Sequence, residues 1–298
     1  VLVLAGLLCG ADPSALPAQA KPTNWNWVAP TEWQQIGRMS HPRLAEVSGV
    51  APSRQHPGVL WVINDSGNPP DLLAVDSTGT LLGWIPLRNA PNTDWEELAL
   101  GPCDTATCLY IADTGDNRER RDEVAIHRLV EPPPPAGQVT PALPVATLRF
   151  RYPDGPHDVE AMDVLPDGSI LLVTKGRSQG VLAFRIPQSA WSANEVAVAE
   201  RVDSLPISAA LGTGRAITGM ALSPDGTRVV VRTYRDLFPF ELVEGRRFRP
   251  LGAPTACDIL GQEPQGEAVG WLPDGRLILL SERGLFTEGT IFVGRCRP

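Results

Sequence analysis

Lysine is almost missing from this sequence: Lys21 and Lys175 are the only two among 26 basic residues, and the rest are arginine. That bias is the kind expected of a GC-rich bacterial genome. Histidine is scarce as well, at positions 41, 56, 127 and 157, and no H-E-x-x-H pairing occurs, so the ligand set of a zinc protease is lacking. There is no G-x-S-x-G elbow, P-loop or G-x-G-x-x-G, which removes the usual supports for serine hydrolases and nucleotide binding. Sustained 3.6-residue periodicity is absent, so helices should be few. No apolar run is long enough to span a bilayer. Positive charge is in deficit: the formal net charge is −8 and the pI about 5.1. A nucleic-acid or anionic-membrane partner is therefore disfavoured, and cations are the natural guests.

The longest apolar run, Val1 to Ala11, has the length of a signal-peptide core, and Ala18-Gln19-Ala20 offers small residues where a signal peptidase reads. Neither Met nor a basic residue precedes it, so the true start of the leader is taken to be missing. Residues 1–20 are read as a signal peptide and 21–298 as the mature domain, secreted or periplasmic. Lipid attachment at Cys9 is the less favoured alternative, because Leu8 is larger than the usual preceding residue. Export leaves Cys103, Cys108, Cys257 and Cys296, an even set in an oxidising compartment. Cys103 and Cys108 flank a short polar turn between two apolar runs, so a hairpin bridge is expected there, with Cys257–Cys296 as the second.

Self-similarity carries the fold. EAMDVLPDGSILLV from Glu160, TGMALSPDGTRVVV from Thr218 and EAVGWLPDGRLILL from Glu267 share an alternating apolar strand, a Pro-Asp-Gly turn and a second β-rich strand. Looser copies begin at Ser48 and Glu96, the latter with the cysteine hairpin in place of Pro-Asp-Gly. The steps from Ser48 to Glu96 and from Thr218 to Glu267 are 48 and 49 residues. Around Glu160 they stretch to 64 and 58, with Pro132–Pro135 and the Trp191–Glu195 segment supplying the extra length. Further strand-like runs follow each hairpin. Four short strands per unit at this period predict an all-β fold, a single β-propeller of four-stranded blades, with five blades favoured and six possible. Trp33–Met39 should supply the outer strand that the last unit lacks, and close the ring.

Asp94-Trp95-Glu96, Asp158-Val159-Glu160 and Gly266-Glu267-Ala268 resemble the D-x-E-G-type inner strands of the SdiA-regulated and esterase-like phytase propellers. The resemblance covers most of the mature chain, although Glu97 and Ala161 stand where those motifs have glycine. It implies a five-bladed propeller that holds calcium.

The copies place Ser48, Glu96, Glu160, Thr218 and Glu267 at equivalent inner-strand positions, where they would line one axial channel. Three glutamates without a histidine or cysteine suit a hard cation, calcium before zinc. The metal ligands are taken as Glu96, Glu160 and Glu267, with Asp116 from the oxygen-dense Asp113–Asn117 turn; Ser48, Thr218 and Glu282 line the channel. The bland alternative is that the glutamates bond backbone amides around a solvated channel. Second strands should end near the same mouth, at Asn64/Asp65, Asp113, Thr174/Lys175, Thr233 and Glu282. Asp65-Ser66-Gly67 and Asp113-Thr114-Gly115 imitate the paired loops of aspartic proteases. Their spacing equals the blade step, so they are one position in neighbouring blades. His157, beside Asp158, is the best-placed acid–base residue, with Asp65 and Asp113 as other candidates. His41, His56 and His127 look like loop or surface residues. Arg215, Arg232, Arg235 and Lys175 are either cations for a bound anion or ordinary loop charge.

Two functions remain open. One is a monomeric binding module that holds calcium and takes a small anionic molecule, a glycan or an envelope protein. The other is a calcium-dependent hydrolase of small anionic esters, either phosphoesters or lactones.

Overall fold

The structure, a computed structural model, describes residues 26–28, 33–135, 140–193, 195–210, 212, 214–251, 255–259 and 261–296. The expected leader and Cys9 lie outside the described residues. Five antiparallel sheets form the ring, and the helical elements that can be bounded are two 3-10 turns, Pro42–Leu44 and Gln188–Ser192.

Blade 1 runs outward through Val47–Pro52, Val59–Asn64, Asp71–Asp76 and Leu81–Arg88. Blade 2 comprises Trp95–Cys103, Ala106–Asp113, Val124–Val130 and Ala146–Arg151. Blade 3 comprises Val159–Val164, Ile170–Thr174, Val181–Ile186 and Glu200–Leu205. Blade 4 has Ile217–Leu222, Arg228–Thr233 and Asp236–Val243, whose outer edge pairs with both Arg247–Pro250 and Thr255–Asp258. Blade 5 has Gln265–Trp271, Leu277–Glu282 and Gly289–Gly294, and is completed by Gln34–Met39 from the start of the chain. Ring closure by that segment is as the sequence predicted.

The Pro-Asp-Gly turns work as their chemistry requires. Gly168, Gly226 and Gly275 have φ of 77°, 72° and 80°, a left-handed conformation that glycine adopts without a Cβ penalty. Asp167, Asp225 and Asp274 accept from the backbone N–H two residues on, which fixes each turn.

A blade cannot bury its faces alone, and the core is accordingly divided among the five gaps between blades. Trp61, Ile63, Leu98 and Ile111 fill the gap between blades 1 and 2, and Tyr110, Phe150, Met162 and Phe184 the next. Val173, Met220, Phe238 and Phe240 follow, then Val230, Val269 and Leu279. Val50, Val62, Ala268 and Leu280 close the circle.

Some blades are broader than four strands. Leu143–Pro144 pairs in parallel with the outer strand of blade 1, and Ala197–Val198 with that of blade 2. The residues that stretch the repeat thus clasp the preceding blade, covering an outer edge that would otherwise expose unpaired backbone groups. Both expected disulfides are formed, Cys103–Cys108 and Cys257–Cys296, each with Cα atoms 5.8 Å apart.

Candidate metal centre

Every inner strand slips its pairing register at one point, and the skipped residue is Ser48, Glu96, Glu160, Thr218 or Glu267. A bulge leaves one residue outside the ladder and re-aims its side chain. The five aligned positions are therefore five repeated bulges at the axis. The two hydroxyls fasten the ring: Ser48 Oγ donates to the Trp95 carbonyl at 3.0 Å, and Thr218 Oγ1 to the Gly266 carbonyl at 3.2 Å, each on the next blade. The three glutamates remain, all buried.

The same register defines a second ring. The residue before each bulge faces Asn64, Asp113, Thr174, Thr233 or Ser281, and the residue after each of these is Asp65, Thr114, Lys175, Tyr234 or Glu282. Thr114 turns to the next blade, donating to the Val159 carbonyl at 2.8 Å. The other four interact electrostatically with the inner glutamates. Two residues ahead of the bulges of blades 2 and 3 stand Asp94 and Asp158. The outcome is an acidic cup at one end of the channel. Asp65, Asp94 and Glu96 bring carboxylate oxygens within 4.8 Å of one another, and so do Glu96, Asp158 and Glu160. Glu96 belongs to both trios.

Burial, followed by the Glu160 and Asp65 charges, pushes the Glu96 carboxyl well above its ordinary range. Among the described residues the only hydrogen-bonding partner of that carboxyl is Glu160, another acid. Burial raises Glu160 to about 7 although Lys175 Nζ is bonded to its Oε1. Glu267 is raised by burial and then by Glu160, and Glu282 by burial and then Asp65, to about 7. Asp65 and Asp94 are raised by burial, with Ser66 donating to both. Burial opposes the Lys175 charge, but the Glu160 carboxylate leads the groups that outweigh it and hold the ammonium's proton. All donors in the two trios are oxygen, so the set suits a hard cation.

Several expected site residues do other work. His157 is wedged against Tyr152 and Phe184 and bonds Asp154 at 2.8 Å, so its ring is a packing element outside the cup. Asp113 is one residue out of register with Asp65: it pairs with Arg121 at 2.9 Å and accepts from the Asp94 N–H at 3.2 Å. Asp116 caps its own turn through the N–H groups of Arg120 and Arg121, and its N–H donates to Asp158 at 2.8 Å. It orders the loop that holds Asp158. Glu267 lines the channel but belongs to neither trio, and it accepts from Gln265 at 3.0 Å. His127 is buried rather than at the surface, bonded to Thr147 at 2.9 Å. Arg232 is fully buried against Glu263 and the Ala268 carbonyl, while Arg215 and Arg235 flank the buried Asp236. Asp94, Asp158 and Tyr234 were missed as site residues. Counting two back from each bulge, and one on from the cross-strand partner of the residue before it, finds all three.

Deeper in the channel the lining changes. Glu97, inward-facing on blade 2, accepts from Leu98 N–H at 3.0 Å and crosses the axis to Met220 N–H of blade 4 at 3.1 Å. Asp163 of blade 3 accepts from Leu222 N–H of blade 4 at 2.6 Å, and burial raises it to about 6. Beyond lies a small cavity of about 40 Å³ among Val50, Leu98, Met220 and Val269.

Fold and site together define a β-propeller with a carboxylate cup at one mouth. No family model matches the sequence, and no curated protein matches it either. Solved structures do resemble it. A soluble aldose sugar dehydrogenase from Escherichia coli is 12% identical, with 89% of this chain and 99% of that one covered and a TM-score of 0.51. A glucose dehydrogenase is 12% identical over 90% and 100% of the two chains, also at 0.51. A streptogramin B lyase is 10% identical over 88% and 97%, at 0.48. At such identities the likeness concerns the fold alone.

Proposed function

We propose that the cup holds a hard divalent cation, calcium in the first instance, and that the protein is an exported binding module which presents this ion to an anionic ligand. The observation that carries the reading is Glu96: nine-tenths buried, shared by two carboxylate trios, and among the described residues left with another acid as its only hydrogen-bonding partner. A buried anion so placed is costly unless it is protonated or paired with a cation. Asp65, Asp94 and Glu96 would hold the ion, beside Asp158 and Glu160, which already have basic partners. Its charge would attract a carboxylate, a phosphate or the oxygens of a glycan to a mouth that otherwise repels anions. The two disulfides fit an oxidising compartment outside the cytoplasm.

Calcium should raise the melting temperature of chelator-treated protein by an increment that grows with free metal, and magnesium should do less, since it demands a smaller octahedral cage. Glu96→Gln removes the shared charge and should abolish most of that response. Identical melting curves with chelator and with calcium at neutral pH would sink the reading.

A second reading rests on Glu282. It sits half-buried at the rim with its carboxyl raised to about 7 by burial and the neighbouring acids, in the range a general base needs near neutrality. The activity would then be hydrolysis of a small anionic ester or lactone, with Glu282 as the base in place of His157. A panel of esters, phosphoesters and lactones decides between the readings: turnover that Glu282→Gln removes while calcium binding survives establishes the hydrolase.

A further inference from the structure

The two trios differ in what already neutralises them. In the trio of Glu96, Asp158 and Glu160, the Lys175 ammonium is bonded to Glu160, and the Arg177 guanidinium to Asp158. Asp158 also accepts from the Asp116 N–H. In the trio of Asp65, Asp94 and Glu96, the donors to the two aspartates are the neutral groups of Ser66. Among the described residues no lysine or arginine forms an ion pair with any of these three carboxylates; the charges of Lys175, on Asp65 and Glu96, and of Arg121, on Asp94, act on them only from farther off. Lys175 is one of two lysines in a chain that otherwise uses arginine, and its side chain is nine-tenths buried. An ammonium is a compact point charge, able to enter a space that a planar guanidinium does not fill.

We infer that the cup seats one divalent cation, at Asp65, Asp94 and Glu96, and that Lys175 is a built-in substitute for a second ion at Glu96, Asp158 and Glu160. The inference rests on the cation-binding reading above and adds to it the position and number of the ions. Carboxylate-bridged pairs of metal ions lie about 3.5–4 Å apart. Two trios with a common glutamate have the layout of such a pair. With the ammonium in one half, a second divalent ion meets a resident positive charge and an already engaged Glu160. Lys175 thereby keeps the centre mononuclear.

Stoichiometry tests this directly, with calcium alone as the probe, by titration calorimetry and native mass spectrometry on the chelator-treated full chain. Wild type should bind one ion and Lys175→Met two, with the circular dichroism unchanged. The second ion in Lys175→Met should bind at least about tenfold more weakly than the first, because it approaches an occupied neighbour. A second pair of variants does not depend on how Lys175→Met folds. Glu160→Gln should leave the single ion's affinity within about threefold, whereas Asp65→Asn should weaken it by more than about tenfold. Two ions in wild type, one in folded Lys175→Met, or the reverse ranking of Glu160→Gln and Asp65→Asn would overturn the inference while leaving cation binding intact. No ion in wild type would overturn the cation reading itself.

Discussion

Single residues decide how this ring differs from a bare stack of hairpins, and Gly115 is the sharpest case. A Cβ there would run into Glu96 Oε1 and crowd Asp94 Oδ2, two carboxylates of the trio that has no ion-paired base among the described residues. Its backbone is outside the left-handed region, so the glycine serves closeness rather than conformation. This explains the protease-like Asp113-Thr114-Gly115 string: Asp113 anchors Arg121, Thr114 ties to blade 3, and Gly115 leaves room for the cup. Gly115→Ala should keep the fold and weaken calcium binding by about tenfold or more, equivalent to about 1.4 kcal/mol. Calorimetry showing wild-type affinity in that variant would remove the packing argument. Glu97 makes the opposite case, a buried acid with a structural task. Truncation to Ala strands the N–H groups of Leu98 and Met220 and should cost about 1–3 kcal/mol in denaturant unfolding. The calcium-induced melting shift should survive it.

At the scale of the strand and its turn, the repeat was legible because it is chemically explicit. Pro-Asp-Gly needs glycine at its left-handed position, and alternating apolar residues report a strand with both neighbours packed. The inner ring was legible for the same reason, since Glu96, Glu160 and Glu267 stand at a fixed distance from the turn or its substitute. What the sequence hid was register. The hairpin of blade 2 is one residue longer than that of blade 1, 17 positions from Glu96 to Asp113 against 16 from Ser48 to Asn64, so Asp113 looked equivalent to Asp65 whereas Thr114 is. His157 misled because its neighbours in sequence, Asp158 and Glu160, face the cup while its ring faces Tyr152 and Phe184. The parallel edge strands were hidden too, since a two-residue pairing such as Leu143–Pro144 has no pattern of its own. The disulfides act at this scale with unequal weight. Cys103–Cys108 closes a separation of 5 residues and Cys257–Cys296 one of 39. The loop-entropy argument gives about 2 kcal/mol for the first and about 4 kcal/mol for the second. The double serine variant of the longer bridge should therefore lose more stability in urea than that of the shorter one, and equal losses would contradict the argument.

For the molecule as a whole, the ring gathers acidic groups at one mouth because five bulges point the same way, so folding itself costs electrostatic free energy that protons or a cation must offset. The pH dependence has a definite sign. Glu160 and Glu282 are raised to about 7 and Asp163 to about 6, all above their ordinary values and all with burial as the leading cause. An acid whose folded pKa is raised favours the folded state when protonated. That contribution is complete below the unfolded pKa near 4 and is lost as pH climbs through about 6 to 7. The metal-free protein should therefore become more stable as pH falls from 8 to 5, the reverse of a protein held by carboxylate ion pairs. A cation competes with those protons. Its stabilising increment should be largest at pH 8 and small at pH 5, so the chelator and calcium melting curves converge on acidification. In Glu96→Gln, with the shared charge gone, the metal-free pH slope should flatten and the calcium increment at pH 8 should mostly vanish. A metal-free melting temperature that drops steadily from pH 8 to 5 would show that the cup carboxylates are already ionised and satisfied by the protein. The electrostatic cost that the bound cation is proposed to relieve would then not exist.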